Sequence, residues 1–260
     1  MDWLYTLSGF LVGLIVGVTG VGGGSLMTPL LVLMFGVSPA TAVGTDLLYA
    51  SLTKSLGGWV NANRGTVNWK VVGLLSLGSL PAAVTSIALL KYLALDKETL
   101  DGLVASVLSV ALILTAAALL LKDWIKKIAR REDGSIYELH HRHLSIATII
   151  TGVIVGALVA ISSIGAGALG TVAVLFLYPR MSIVKVVGTD IVHAVPLTAI
   201  AGMGHMALGT VDFVLLGSLL LGSLPGIYMG SHLSAKIPEK VLRLLLATML
   251  LIIGTKMVLY

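Results

Sequence analysis

Val43-Gly44-Thr45-Asp46 and Val187-Gly188-Thr189-Asp190 are one motif written twice, 144 residues apart. Outward from it, the same offset pairs Gly65-Thr66-Val67 with Gly209-Thr210-Val211. It also pairs Gly78-Ser79-Leu80-Pro81 with Gly222-Ser223-Leu224-Pro225. Aligned without gaps, 43–81 and 187–225 share 16 identities in 39 positions, far more than chance gives even in a biased composition. The chain is an internal duplication, and its two copies sit in runs of apolar residues.

Composition says where those runs reside. Of 260 residues 57% are hydrophobic and 11% charged, with a mean hydropathy of +1.03. A soluble domain carries about 25% charged residues, so this chain cannot clothe a water-facing surface. Disorder is excluded by the same numbers, since it needs low hydrophobicity and high charge. Thirty glycines without a Gly-X-Y period suggest close helix packing in a bilayer. Cysteine is absent, which removes disulfides, thiolate nucleophiles and Cys-ligated metal sites. The first run, 4–20, has neither a basic leader nor an A-x-A-like cleavage site and is expected to be retained. The basic pI of about 9.5 does not indicate nucleic-acid binding. Its cations gather in short stretches between apolar runs, and no basic face interleaved with aromatics is present.

The apolar runs fall at 3–21, 25–37, 39–61, 69–92, 101–121, 144–162, 166–178, 183–205, 211–233 and 240–259. Most reach the ~20 residues that cross a bilayer as helix. The exceptions, 25–37 and 166–178, follow the glycine-rich stretches Gly20-Val21-Gly22-Gly23-Gly24 and Gly165-Ala166-Gly167-Ala168. Each is expected to form a short or re-entrant helix behind a break within the membrane. The hydrophilic stretch 122–143 reads as a cytoplasmic loop linking a first transmembrane repeat, 1–121, to a second, 144–260. Counting ten segments outward from it puts 13 of the 17 Lys and Arg residues on the inside, as the positive-inside bias requires. Both termini are then outside. Five segments per copy is an odd number, so the repeats would be inverted. That architecture places a substrate site at their interface near the midplane in many secondary transporters.

Chemistry is sought first at the breaks. Backbone N–H groups opening a helix, with the positive end of its dipole behind them, favour an anion. Gly22, Gly23, Gly24 and Ser25 open one short helix and Gly165, Ala166 and Gly167 the other. The alternative role for these glycines is simply to permit close crossing. Ionisable residues inside apolar segments are costly and need a reason. Asp46 and Asp190 hold equivalent positions; as carboxylates they either carry a coupling proton or cation, or cap and brace the fold, and Thr45 and Thr189 directly before them are expected to contact the substrate. Lys54 stands mid-segment where the second copy has Thr198, an ammonium able to attract an anion or neutralise Asp46, though eight residues is too far for pairing along one helix. His193, three residues after Asp190, is placed to share its proton. His205 aligns with Asn61 and reads as a packing residue. The run His140-His141-Arg142-His143 belongs to the charged stretch and suggests no metal site. There is no phosphate-binding Walker loop, nucleophile elbow or H-E-x-x-H helix. Neither catalytic residues nor a cofactor are therefore expected.

Taken in order and with their duplication, the glycine-rich stretches, Pro29, the two Val-Gly-Thr-Asp motifs and Gly222-Ser223-Leu224-Pro225-Gly226 resemble the sulfite exporter TauE/SafE family, also called toluenesulfonate uptake permeases. The resemblance covers essentially the whole chain. It implies an all-α polytopic protein of the cell membrane, moving sulfite, sulfonates or other small sulfur-containing organic anions as a gradient-driven permease. The expected partners are the small anion and the lipid bilayer, with no nucleic acid; oligomeric state stays open, a homodimer included. The alternatives from other classes are a non-transporting membrane scaffold and an intramembrane enzyme.

Overall fold

A computed structural model describes residues 3–19, 24–129, 134–233 and 239–259. It contains ten helices, five from each copy: α1 Trp3–Thr19, α2 Gly24–Phe35, α3 Pro39–Asn63, α4 Trp69–Leu93, α5 Lys97–Ala129, α6 Gly134–Ser162, α7 Ala168–Leu177, α8 Ile183–Ala207, α9 Phe213–Leu233 and α10 Glu239–Leu259. No strand occurs among the described residues. Each apolar run of the sequence thus becomes a helix, because within hydrocarbon only intrahelical hydrogen bonds satisfy the backbone of a lone segment. Five stretches are long and apolar enough to cross a membrane: Trp69–Leu93, Lys97–Lys122, His143–Ser162, Ile183–Ala207 and Phe213–Gly230. The two runs behind the glycine stretches are indeed the shortest helices, α2 with 12 residues and α7 with 10.

The charged stretch 122–143 departs from the loop expected of it. Its described parts continue α5 to Ala129 and begin α6 at Gly134. Lys, Arg, Glu and Ala are good helix formers and keep the helix going once the apolar span has nucleated it.

Contacts between helices repeat when each helix of one copy is exchanged for its counterpart in the other. α1 packs along α9 as α6 packs along α4; α2 meets α3 and α10 as α7 meets α8 and α5; α3 crosses α8, and α5 lies on α10. Three apolar cores result among the described residues. One gathers Val12, Met27, Leu31, Leu112, Leu219 and Leu250, a second Val43, Leu47, Ala83, Val159, Leu197 and Ala201, and a smaller third Val71, Leu75, Val174, Leu175 and Val186. Large apolar side chains such as Leu89, Ile154, Val214 and Ile252 cover the outside instead of polar ones.

Glycine sets the two outer pairs. Gly9 and Gly13 of α1 lie against the backbone of Leu219 and Ser223, while Gly222 and Gly226 of α9 lie against Thr6 and Phe10. In the other pair Gly152 and Gly156 of α6 lie against Leu75 and Ser79, and Gly78 of α4 against Ile149. Without side chains between them the backbones come within van der Waals reach, and dispersion replaces the hydrophobic effect that lipid cannot supply. A methyl group at Gly222 would fall on the Thr6 carbonyl oxygen, whereas one at Gly217 of the same helix meets nothing. Gly222→Ala should therefore destabilise the protein by about 1–3 kcal/mol and Gly217→Ala should not. Thermal unfolding of both variants in one detergent checks the contrast.

Candidate functional site

The break between α6 and α7 is where the backbone leaves the helical path. Ser163 has a φ of 59°, Gly165 of 123° and Gly167, the N-cap of α7, of 139°. Glycine tolerates such angles freely, while a serine in the left-handed region is strained and marks a place that its surroundings over-determine. Residues 162–168 are all buried. The carbonyls of Gly165 and Gly167 are taken by the N–H groups of Gly170 and Thr171. Among the described residues, no acceptor is bonded to the N–H groups of Gly165, Ala166, Gly167, Ala168 or Leu169. A buried row of unpaired donors at a helix N-terminus is a cradle for an anion. Gly165, Ala166 and Gly167 lie within this break. In the other copy Gly22 and Gly23 lie outside the described residues. Gly24 is the first residue of α2, followed by Ser25.

Helix α3 of the first copy grips this break of the second at two points. Ser163 donates to Asp46 Oδ2 at 2.8 Å, and Thr28 of α2 donates to the same oxygen at 2.5 Å. Two turns further along α3, the buried Lys54 donates its ammonium to the carbonyl of Ala166 at 2.5 Å. The spacing that keeps Lys54 from pairing with Asp46 along the helix lets the two residues hold opposite ends of one loop. Lys54 also feels the charges of Asp190 and Asp46. Asp190 on α8 accepts from Thr171 of α7 at 2.9 Å, and its other oxygen leaves no room for a side chain on Gly170. Each carboxylate thus ties the short helix of its own copy to the long one that follows.

Thr28, Ser163 and Thr171 were missed by sequence reasoning. A signal existed for two of them: Thr28 precedes Asp46 by 18 residues and Thr171 precedes Asp190 by 19, so they are repeat partners. Ser163 lies where no pattern predicts a positive φ.

Thr45 and Thr189 are drawn away from the break. Thr45 Oγ1 accepts the backbone N–H of Asp212, and Thr189 Oγ1 that of Asn68, both at 3.0 Å. Asn68 and Asp212 in turn cap α4 and α9, their side chains accepting from Val71 and from Val214 and Leu215. Each threonine therefore fastens a helix start of the opposite copy. His193 Nε2 is bonded to Ser79 Oγ of α4 at 2.8 Å and not to Asp190. His205 bridges Thr210 and the Ala160 carbonyl, a packing role as expected. Among the described residues, three buried atoms around the centre have no hydrogen-bond partner: Asp46 Oδ1, Asp190 Oδ1 and His193 Nδ1. Tyr49 and His193 are repeat equivalents, each three residues after its aspartate. No cluster of ligands able to hold a metal ion is found among the described residues.

The two carboxylates are unequally supported, and stability should show it. Asp46 keeps one hydroxyl donor when the other is removed, whereas Thr171→Val strips Asp190 of its one described donor. Leaving such a group unpaired costs about 1–3 kcal/mol. Thr171→Val should lower the melting temperature more than Thr28→Val or Ser163→Ala does, as measured by unfolding in detergent.

The family model described as sulfite exporter TauE/SafE matches residues 5–257. The "probable membrane transporter protein YjnA" of Bacillus subtilis is 36% identical over 252 residues, 97% of this chain and 98% of the relative. The "probable membrane transporter protein YdhB" of the same organism is 30% identical, covering 90% of this chain and 91% of its own. A third, the "probable membrane transporter protein MJ0441" of Methanocaldococcus jannaschii, is 27% identical over 98% of this chain and 95% of the relative. No solved structure matches. A duplicated, lipid-facing helical bundle with a buried backbone break at its centre, matched along nearly its whole length, belongs to the sulfite exporter TauE/SafE family of multi-pass membrane transporter proteins.

Proposed function

We propose that the chain is a secondary transporter that moves small anions of the sulfite and organosulfonate class by alternating access around the α6–α7 break. The observation that carries this reading is the buried row of unpaired N–H donors from Gly165 to Leu169 beside the Lys54 ammonium. An oxyanion presents several acceptor oxygens to such donors without a side chain having to reach it. In the other copy the matching stretch of sequence is Gly22, Gly23, Gly24 and Ser25. Thr45 and Thr189 serve the site indirectly, by fixing the crossing of the two copies.

An anion entering beside Asp46 and Asp190 meets two carboxylates and one ammonium. Like charge at close quarters in a low-dielectric site is costly, so the anion and a proton bind together. Asp190, with His193 one turn away and its Oδ1 unpaired, is the proton carrier; Asp46, held by two hydroxyls, is the brace. Two inverted repeats, 1–121 and 144–260, rocking about the α3–α8 crossing expose the site to either side in turn. The stretch 122–143 is cytoplasmic and both termini are outside.

The test is counterflow in proteoliposomes across a panel of sulfite, sulfonates and dicarboxylates. Exchange of the sulfur oxyanions is expected, and its absence for every anion would overturn the reading. Asp190→Asn should keep counterflow while losing accumulation driven by a pH gradient, with His193→Gln weakening that accumulation and Asp46→Asn responding to the gradient like the parent. Reporter fusions within 122–143 and at the C-terminus should report opposite sides of the membrane.

A further inference from the structure

A second cavity lies away from the break, on the outer side of the α3–α8 crossing. It has a volume of about 390 Å³ and is lined by Ser55, Gly58, Trp59 and Ala62 of α3, Trp69 and Val72 of α4, and Val192, Val195 and Pro196 of α8. The duplication supplies a built-in control. At the equivalent place in the other copy Gly202 is packed tightly by the Leu48 side chain. A methyl at Gly58 would meet only Val192 and Val195 at 3.5 Å or beyond. Gly58 thus leaves space where its counterpart Gly202 is packed against Leu48.

Its surroundings differ in the same sense. Trp59 and Trp69 stand where the second copy has Met203 and Phe213. Both tryptophans are largely exposed, at 68% and 62%. The turn at this end of the cavity carries Arg64 two residues after Ala62 and Lys70 directly after Trp69, both exposed. The corresponding positions of the other copy are Leu208 and Val214, and that turn bears Asp212 instead. The open space at Gly58, the two tryptophans and the two cations thus occur together in one copy, where the other has a tightly packed Gly202, Met203, Phe213, Leu208 and Val214.

We propose that this is a binding site for one anionic phospholipid of the surrounding bilayer. An acyl chain fills the cavity between α3, α4 and α8. Trp59 and Trp69 sit at headgroup level, where tryptophan is favoured by its apolar ring and polar N–H. Arg64 and Lys70 neutralise the phosphate, as basic residues beside clefts between transmembrane helices do. A zwitterionic lipid offers the same chains but cancels the charge that the two cations select. The site touches the transport machinery from behind: Ser55 follows Lys54, and Val192 precedes His193. Its occupancy therefore steadies the α3–α8 crossing.

The experiment uses the purified, delipidated full chain in detergent, titrated with phosphatidylglycerol or phosphatidylcholine of the same acyl composition, and with glycerol phosphate as the headgroup without chains. Phosphatidylglycerol should raise the melting temperature by about 4 °C near saturation, and the other two should leave it within error. The double variant Arg64→Gln/Lys70→Gln, which removes only surface charge, should lose most of that rise. So should Gly58→Leu, which fills the cavity. An equal shift with phosphatidylcholine, a shift with glycerol phosphate alone, or a full shift in either variant would overturn the proposal. None of these readouts involves anion transport, so the lipid site stands or falls separately from it.

Discussion

Backbone hydrogen bonding in a medium without water is the constraint that organises this molecule. A helix interrupted at membrane depth exposes peptide groups that cost several kcal/mol each when left unpaired. The α6–α7 break is tolerated because α3 braces it, Asp46 through the hydroxyl of Ser163 and Lys54 through the carbonyl of Ala166. The carbonyls are thereby answered while the N–H groups of 165–169 are left over. What the fold pairs and what it leaves unpaired at this loop have opposite polarity.

The bracing also explains why polar residues survive on α3 and α8, helices too valuable to the interior to be uniformly apolar. Asp46 and Asp190 each hold a short helix through a threonine, and Thr45 and Thr189 each fasten the cap of a helix in the opposite copy. These bonds are internal to one copy in the first case and cross between copies in the second. The outer pairs α1–α9 and α4–α6 contribute a different kind of adhesion, backbone contact across glycines. The centre is thus held by directional polar bonds and the periphery by close packing.

Duplication gives each residue a counterpart, and the departures from it carry the information. Lys54 faces Thr198, Tyr49 faces His193, and the pair Arg64 and Lys70 faces Leu208 and Val214. An exactly symmetric bundle would treat its two breaks alike. Here the Lys54 ammonium holds the α6–α7 break and His193 is bonded to Ser79, neither residue type being repeated at the equivalent position.

Helix number, the two short helices and the internal repeat were legible in the sequence, because hydropathy and identity at a fixed offset are properties of the chain as a string. Local physics sufficed: apolar runs must be helical in lipid, and glycine clusters interrupt them. The extension of α5 to Ala129 and the start of α6 at Gly134 were within reach of helix propensity but were hidden by charge, which marks contact with water and not the end of a helix. Tertiary structure alone decided which residues meet. Asp46 and Ser163 are 117 positions apart and Lys54 and Ala166 are 112 apart, separations at which no periodicity carries a signal. The same holds for His193, whose neighbour in the sequence was Asp190 and whose partner in space is Ser79. A side chain's partner is fixed by which helix lies across from it, and in this chain the packing of one copy against the other sets that.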